Sequence, residues 1–228
     1  MPVRQGSSGL DEPAVRAVLN RLYSMAERDD KGVMERAYAS AAGLSAPPTP
    51  AEASALCAEA LLPVDPKIGR LLHLLVRTLR PRNPVEFGAS YGASAIQIAA
   101  ALRDNGSGHL TTSELDGGKV RKTRENLAEA GLADLVTVLE GDARDTLGAL
   151  TEPVDFILLD GWKELYLPVL KVLEPLMAPG AVIVSDNLSM LPADYLERIR
   201  DGRLGYVSLD LPLGDGVEVT TWTGIRDE

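Results

Sequence analysis

The chain has 228 residues, of which 45% are hydrophobic and 25% are charged, and its formal net charge is −10. These values are typical of a soluble globular domain with a sizeable core, and the negative charge argues against a nucleic-acid partner and against an anionic membrane surface. No apolar run reaches the roughly 18 residues of a membrane span, and the first residues lack the apolar core of a signal peptide. The single cysteine, Cys57, excludes an internal disulfide and favours a reducing, cytoplasmic setting.

Residues 1–62 are predicted to form a helical extension. The glycine- and serine-rich residues 1–9 are expected to be disordered, and a helix should begin near Asp11, which can cap it. A second helix is predicted over 33–42. After a proline-rich loop, the capping box Thr49-Pro50-Ala51-Glu52 should open a third helix that continues to the end of the extension.

The first predicted helix carries an apolar stripe at helical spacing, formed by Val15, Val18, Leu19, Leu22 and Met25. An apolar stripe on a surface helix needs a covering partner surface. We therefore expect the chain to form a homodimer through this helix. The alternative is that the extension covers the mouth of a ligand site within the same chain.

Residues 63–228 are predicted to form an α/β domain, because apolar strands and amphipathic helices alternate along it. Strands are expected at 84–87, 108–114, 135–140, 154–160 and 181–186, and helices at 67–79, 93–103, 118–130, 143–150 and 167–177. Repeated βα units with apolar strands imply a mostly parallel sheet that is covered on both faces. Two further strands, 204–211 and 217–223, should close the chain as an antiparallel hairpin.

A glycine-rich loop, Gly88-Ala89-Ser90-Tyr91-Gly92, follows the first predicted strand. Small residues let the backbone approach a ligand, and the next helix offers free N–H groups. The loop lacks the Gly-x-Gly-x-x-Gly spacing that holds a dinucleotide pyrophosphate, so it suits a ligand without phosphates. A tight structural turn is an equally good interpretation of this segment alone.

Two acidic residues follow the next strands. Glu114 ends the second strand, where a carboxylate can accept both ribose hydroxyls of a nucleoside, although a surface acid is as good an interpretation. Asp142 follows the third strand and could accept from an adenine amino group, or simply cap the next helix. Ligands of open α/β sheets bind outside the carboxyl ends of the strands, so the concurrence at three strand ends favours a nucleoside site.

Oxygen ligands follow the fourth and fifth predicted strands. Asp160 ends the fourth strand, and Asp186 and Asn187 end the fifth. Two carboxylates and an amide oxygen suit Mg²⁺ or another hard divalent cation, with coordination positions left for water or substrate. A histidine or thiolate site is not expected, because His73, His109 and Cys57 stand apart from any ligand cluster.

The segment Asp160-Gly161-Trp162-Lys163-Glu164-Leu165-Tyr166-Leu167-Pro168, followed by Ser185-Asp186-Asn187, resembles the catechol O-methyltransferase family, and most closely its bacterial and caffeoyl-CoA-type branches. The resemblance extends from about Val64 to the end of the chain. It implies a Rossmann-like class I methyltransferase fold with a seven-stranded sheet. It also implies S-adenosylmethionine as cofactor, a divalent cation, and methyl transfer to a small aromatic molecule with adjacent hydroxyls.

The resemblance also implies roles for matching residues. In the acceptor half, Asp160, Asp186 and Asn187 would bind the cation and Lys163 would be the general base. In the cofactor half, the implied contacts are Glu86, Gly88 and Ser94 near the methionine part, Glu114 at the ribose, Asp142 and Ala143 at the adenine, and Asp160 and Trp162 beside the cofactor. One position departs from the family pattern, since Gly161 stands where catechol O-methyltransferase has histidine.

Several alternatives stay open at this point. Lys163 can also be a solvated loop lysine, and Trp162 can serve packing alone. The chain could be a metal-independent methyltransferase or a non-catalytic homologue that binds S-adenosylmethionine. An NAD-dependent oxidoreductase is disfavoured, because the glycine loop lacks the dinucleotide spacing and such an enzyme leaves the cation ligands unexplained.

Overall fold

The computed structural model describes residues 8–224. Its α-helices are α1 Pro13–Ala42, α2 Pro50–Leu56, α3 Pro66–Leu79, α4 Ala93–Asn105, α5 Gly117–Glu129, α6 Ala143–Thr146, α7 Tyr166–Leu173 and α8 Ala193–Ile199. Its strands are β1 Pro84–Phe87, β2 Leu110–Glu114, β3 Val136–Glu140, β4 Val154–Leu159, β5 Met177–Asp186, β6 Tyr206–Leu211 and β7 Val217–Trp222. Within this part of the chain, every helix is too short or too polar to cross a membrane.

The strands form one seven-stranded sheet in the order β3-β2-β1-β4-β5-β7-β6. The first five strands run parallel, while β7 pairs antiparallel with both β5 and β6. The expected parallel sheet with an antiparallel terminal hairpin is therefore confirmed. Strand order reverses between β1 and β4, and in open α/β sheets the crevice at such a reversal is where ligands bind.

The sheet has an apolar layer on each face, which explains why β4 is a continuous apolar run. Phe156 and Leu158 join the core beneath α1, α3, α4 and α5. Their neighbours Ile157 and Leu159 join the opposite core with α7 and α8. Successive strand residues point to opposite faces, so both sets of side chains are buried only when helices cover both faces.

The extension differs first in α1, which is a single helix of 30 residues rather than two. The expected break falls near Gly32, whose φ is not positive. Glycine inside a helix costs about 1 kcal/mol but does not end it, whereas proline would. Burial of Val33 and Ala37 against Cys57 and Ala60 holds the second half of α1 in place.

The capping box at Thr49 is confirmed, with the Thr49 hydroxyl and the Glu52 carboxylate each accepting from the other residue's backbone N–H. The helix ends at Leu56, however, earlier than expected. Beyond it, the Asp30 carboxylate of α1 accepts the N–H groups of Leu61 and Leu62 at 2.8 Å each. Leu62 has a φ of +43°, so this segment is held in a non-helical conformation by a distant side chain.

The apolar stripe of α1 is buried within the chain. Leu19 and Leu22 belong to the core, and Met25 packs against it. The argument that this stripe needs a second subunit is therefore wrong, and the homodimer stays a prediction without that support. Disorder was predicted for residues 1–9, of which residues 1–7 lie outside the described part of the chain. Ser8 and Gly9 do not follow the prediction, because Ser8 caps a short 3₁₀ helix that Gly9 begins.

Candidate active site

A cavity of about 370 Å³ opens at the carboxyl ends of β1 to β5. It is lined by every predicted site residue except Glu86: Gly88, Ser94, Glu114, Asp142, Ala143, Asp160, Trp162, Lys163, Asp186 and Asn187. The strand reversal between β1 and β4 thus brings the residues predicted for a nucleoside and those predicted for a cation into one crevice.

The glycine loop packs directly against the end of β4. Gly88 has a φ of +98°, and a Cβ added there would lie 2.6 Å from the carbonyl oxygen of Asp160. Only glycine permits both this backbone conformation and this close approach. Gly88 is therefore required by the backbone structure. Its close approach to Asp160 also fixes the distance between the glycine loop and the end of β4.

Glu114 is held in position by backbone donors. One carboxylate oxygen accepts the N–H of Ser90 at 2.8 Å and the other accepts the N–H of Asp116 at 3.0 Å. Each oxygen keeps a free lone pair, so the carboxylate can still accept from the two hydroxyls of a ribose. Its position in the cavity agrees with the predicted role.

Lys119 is a buried cation on the cavity wall that the sequence reasoning missed. Its Nζ donates to the Ser90 hydroxyl at 3.3 Å. Burial lowers the pKa of Lys119, and the negative charge of Glu114 opposes that effect. The signal in the sequence was weak, because a lysine in the first turn of a helix is usually solvated.

Asp142 caps α6, as its simpler interpretation predicted. Its carboxylate accepts the backbone N–H of Arg144 at 2.9 Å and also pairs with the Arg144 guanidinium at 2.6 Å. The Arg144 guanidinium lowers the pKa of Asp142, so the carboxylate is ionised and engaged. A contact between Asp142 and an adenine amino group stays a prediction that has to coexist with this ion pair.

Glu86 lies behind the cavity wall rather than on it. Its side chain is fully buried, and one carboxylate oxygen accepts a hydrogen bond from the hydroxyl of Ser94. The other oxygen, Oε2, has no hydrogen-bond partner in residues 8–224. Burial raises the pKa of Glu86 to about 7. The role of Glu86 near the methionine part of a cofactor stays a prediction, and Ser94, which bonds its carboxylate, is the residue that lines the cavity.

The acidic half of the cavity holds oxygen atoms suited to a hard cation. Asp186 is buried and Asp160 nearly so, and burial raises the pKa of both carboxyls while Lys163 opposes the shift. Asn187 adopts a left-handed backbone with a φ of +58°, next to Asp186. No group of three or more His, Cys, Asp or Glu side chains suited to a metal occurs in residues 8–224. The third ligand would have to be the Asn187 amide oxygen, which Mg²⁺ accepts.

Lys163 is oriented by buried groups, which argues against a freely solvated loop lysine. Its Nζ lies 3.6 Å from Oδ1 of Asp160 and donates to the hydroxyl of Tyr166 at 2.7 Å. The Tyr166 hydroxyl donates in turn to the backbone carbonyl of Asp186 at 3.2 Å. Tyr166 was missed by sequence reasoning, although its i+3 spacing from Lys163 in a helical turn was an available signal.

Trp162 packs against the core and also lines the cavity, and its contact with a cofactor stays a prediction. Its side chain packs on the cluster that joins α1 to the segment after α2, formed by Val33, Ala37, Cys57 and Ala60. Further cavity residues that were not predicted are Met34 and Tyr38 of α1, Met190 and Asp215. The helical extension therefore forms part of the cavity wall, as the alternative to a dimer interface proposed.

Comparison with known proteins gives a consistent result. Residues 85–188 match the family model of a methyltransferase domain. Catechol O-methyltransferase from Sus scrofa is 33% identical over 150 residues, which are 62% of this chain and 80% of that protein. Catechol O-methyltransferase from Niastella koreensis is 34% identical over 154 residues, 64% of each chain.

The fold agrees with the same assignment. The crystal structure of the O-methyltransferase TomG from Streptomyces achromogenes, in complex with SAM, has a TM-score of 0.65 at 27% identity, covering 86% of this chain and 99% of that one. The sheet of this chain is the seven-stranded sheet of class I methyltransferases. The chain therefore belongs to the catechol O-methyltransferase family and is a methyltransferase.

Proposed function

We propose that this methyltransferase uses S-adenosylmethionine and a divalent cation, with Mg²⁺ as the first candidate, to methylate one hydroxyl of a small aromatic molecule with two adjacent hydroxyls. The observation that carries the proposal is the shared cavity: the glycine loop and Glu114 lie on one side, and Asp160, Asp186 and Lys163 on the other. A methyl donor and an oxygen acceptor have to meet in such a cavity for transfer to occur.

The cofactor half fits a nucleoside with a charged amino-acid tail. Glu114 offers lone pairs to ribose hydroxyls, while its backbone donors prevent it from rotating away. The Glu86 carboxyl, whose Oε2 has no partner in residues 8–224, lies behind Ser94 close to the glycine loop, and a nearby cation would favour its ionised form. An ammonium group bound near the loop would be favoured by that ionised carboxylate, and the sulfonium donor S-adenosylmethionine carries such a group.

The acidic half fits a hard cation by its donor set, since the carboxylates of Asp160 and Asp186 and the amide of Asn187 line the same cavity. Two buried acids whose pKa is raised by burial gain most from a positive partner. When bound, the cation would hold two adjacent hydroxyl oxygens and lower the pKa of the one to be methylated.

Lys163 is the group of this chain that would take the proton. Its anchors, Asp160 and Tyr166, hold the amine in the acidic half of the cavity. The acceptor oxygen would lose its proton to Nζ and form a bond to the methyl carbon as the carbon–sulfur bond breaks, which leaves S-adenosylhomocysteine. Positioning by these residues is expected to supply a large part of the rate acceleration.

A turnover assay tests this function directly. The protein is incubated with S-adenosylmethionine and a panel of vicinal diphenols, with matched monophenols as controls, and products are identified by mass spectrometry. We expect monomethylated diphenols only, loss of activity in excess EDTA, and recovery on adding Mg²⁺. Lys163→Met should be inactive, whereas Lys171→Met on the exposed side of α7 should match the wild type.

Full activity in EDTA would reject the cation, and S-adenosylhomocysteine binding without any methylation would favour the non-catalytic alternative. A homodimer and a cytoplasmic location stay predictions from the sequence alone.

A further inference from the structure

Gly161 is glycine for a reason that lies in a neighbouring side chain. A Cβ built on Gly161 would lie 2.3 Å from Cζ of Phe87, 2.5 Å from Cε2 and 2.6 Å from Cε1. The φ of Gly161 is not positive, so its backbone conformation would tolerate any residue. The ring of Phe87 is therefore what excludes a side chain here, including the histidine found in catechol O-methyltransferase.

Phe87 is fixed in this place from several sides. Its carbonyl oxygen accepts the N–H of Asp160 at 2.9 Å, which ties the end of β1 to the end of β4. Its ring meets the buried ring of Tyr166 edge-on, with 6.2 Å between centroids and 72° between planes. The side chain is 6% exposed and the residue lines the cavity. The ring is thus held by packing on several sides, and the residue belongs to the cavity wall.

The surroundings of Phe87 indicate which part of a ligand it meets. Phe87 shares one apolar cluster with Ala143 and with Trp162. Ala143 begins α6, directly after the third strand end, and all three residues line the cavity. An apolar corner formed by two aromatic rings and a methyl group suits a flat base better than a ribose or an amino-acid tail.

We propose that Phe87 and Gly161 form a reciprocal pair in which the Phe87 ring supplies the wall of the adenine subsite, and the missing side chain at Gly161 makes room for it. The inference rests on the proposed function for the identity of the cofactor. The wall is apolar, so it selects the base by shape and contact rather than by a hydrogen bond from position 161.

The first test removes the ring. Binding of S-adenosylhomocysteine and of 5′-methylthioadenosine, which lacks the amino-acid tail, is measured by calorimetry for Phe87→Leu. We expect both dissociation constants to rise by about three- to tenfold, because the lost contact is to the base that the two ligands share. Phe156→Leu is the matched control: Phe156 is fully buried and lies in the opposite core, so its variant should melt earlier but bind both ligands as the wild type does.

The second test asks whether the two positions act as a pair. Gly161→Ala should lower the melting temperature and weaken ligand binding about tenfold or more, because the added carbon overlaps the ring. In the Phe87→Leu background the same change should cost much less in both measurements. Gly202→Ala, where an added Cβ meets nothing within 4 Å, is the control and should leave both unchanged.

Additive effects of the two substitutions, or unchanged binding in Phe87→Leu, would overturn the inference. A wild-type protein that binds neither ligand would instead reject the cofactor assignment. Melting temperatures of the single and double variants can be measured without a ligand. They therefore test the steric pairing of Phe87 and Gly161 even if the protein binds neither ligand.

Discussion

At the scale of single residues, the direction of one hydrogen bond determines how Lys163 presents its nitrogen. The backbone carbonyl of Asp186 can only accept, so the Tyr166 hydroxyl must give its proton to it. The phenol oxygen is then left to accept from Nζ of Lys163. An N–H of the lysine is thereby directed to Tyr166, which fixes the position of Nζ relative to the rest of the cavity.

Replacement of Tyr166 by phenylalanine tests this arrangement. Tyr166→Phe removes the acceptor of Lys163 and leaves the Asp186 carbonyl without its donor, so we expect kcat to fall about tenfold, equivalent to about 1.4 kcal/mol of lost positioning of Lys163. KM and the affinity for S-adenosylhomocysteine should change little. Tyr195→Phe is the control, because Tyr195 is buried against the Tyr166 ring but bonds Ser185 instead. An unchanged kcat in Tyr166→Phe would show that the phenol does not orient the lysine.

Glu86 predicts a dependence of stability on pH in the ligand-free protein. Burial raises the pKa of Glu86 from 4.5 to about 7, so the folded state retains a proton that the unfolded state has lost. The resulting stabilisation of the folded state is fully present below about pH 4.5 and is lost as pH rises to about 7. Its size is on the order of 3 kcal/mol. The raised pKa values of Asp160 and Asp186 act in the same direction.

Comparison of variants isolates the part due to Glu86. Glu86→Gln cannot ionise, so melting temperatures between pH 5 and pH 8 should fall less steeply than in the wild type. Glu140→Gln, at an exposed position on β3, should follow the wild-type profile. Parallel profiles for the wild type and Glu86→Gln would show that Glu86 is not the buried titrating acid.

At the scale of elements, the local sequence pattern predicts the sheet much better than it predicts the extension. The βα alternation and the apolar runs of β4 and β5 follow from burial on both faces, which neighbouring residues alone reveal. The conformation of Leu61 and Leu62, beyond the end of α2, depends on Asp30, a side chain more than 30 positions earlier, so no local signal encodes it. The short α8 carries only a brief apolar pattern, and the sequence predicted no helix there.

The site residues divide in the same way. Asp160, Asp186 and Glu114 were predictable because strand ends converge at one edge of a parallel sheet. Phe87 was not, because its importance comes from a contact between strand ends and not from residue type, whereas Tyr166 was missed although its spacing from Lys163 offered a local signal. Asp142 shows the opposite case, in which a suitable residue type is already used by a local cap and ion pair.

Asp30 provides a test of how the extension supports the cavity. Asp30→Ala leaves the N–H groups of Leu61 and Leu62 without their acceptor, and we expect a loss of about 1–3 kcal/mol in stability. The Ser90 hydroxyl donates to the Leu61 carbonyl, and the Ser90 backbone N–H donates to Glu114. A displaced Leu61 should therefore disturb Glu114, and the affinity for S-adenosylhomocysteine should fall as well. Hydrogen exchange at residues 61–62 reports the local effect.

Asp29→Ala is the matched control, since within residues 8–224 the Asp29 carboxylate pairs with the neighbouring Arg28 on the surface. It should leave hydrogen exchange at 61–62 and ligand affinity unchanged. Equal protection of these amides in Asp30→Ala and the wild type would contradict the proposed support.

At the scale of the whole molecule, the strand order places the residues predicted for the cofactor and those predicted for the acceptor at the ends of different strands that face one crevice. The ends of β1, β2 and β3 carry the residues predicted for the cofactor, and the ends of β4 and β5 carry the acids and Lys163. Reversal of strand order beside β1 makes these two sets face one crevice, and α1 adds Met34 and Tyr38 to its wall. The central claim is that this crevice holds a cation and a methyl donor side by side.

Anomalous diffraction from crystals grown with Mn²⁺ and S-adenosylhomocysteine tests that claim most directly, because manganese takes the same oxygen ligands as magnesium and can be located unambiguously. We predict one strong anomalous peak bound by the carboxylates of Asp160 and Asp186 and the amide oxygen of Asn187, beside a nucleoside whose ribose contacts Glu114. A map in which the nucleoside is bound but no peak lies between Asp160 and Asp186 would contradict it.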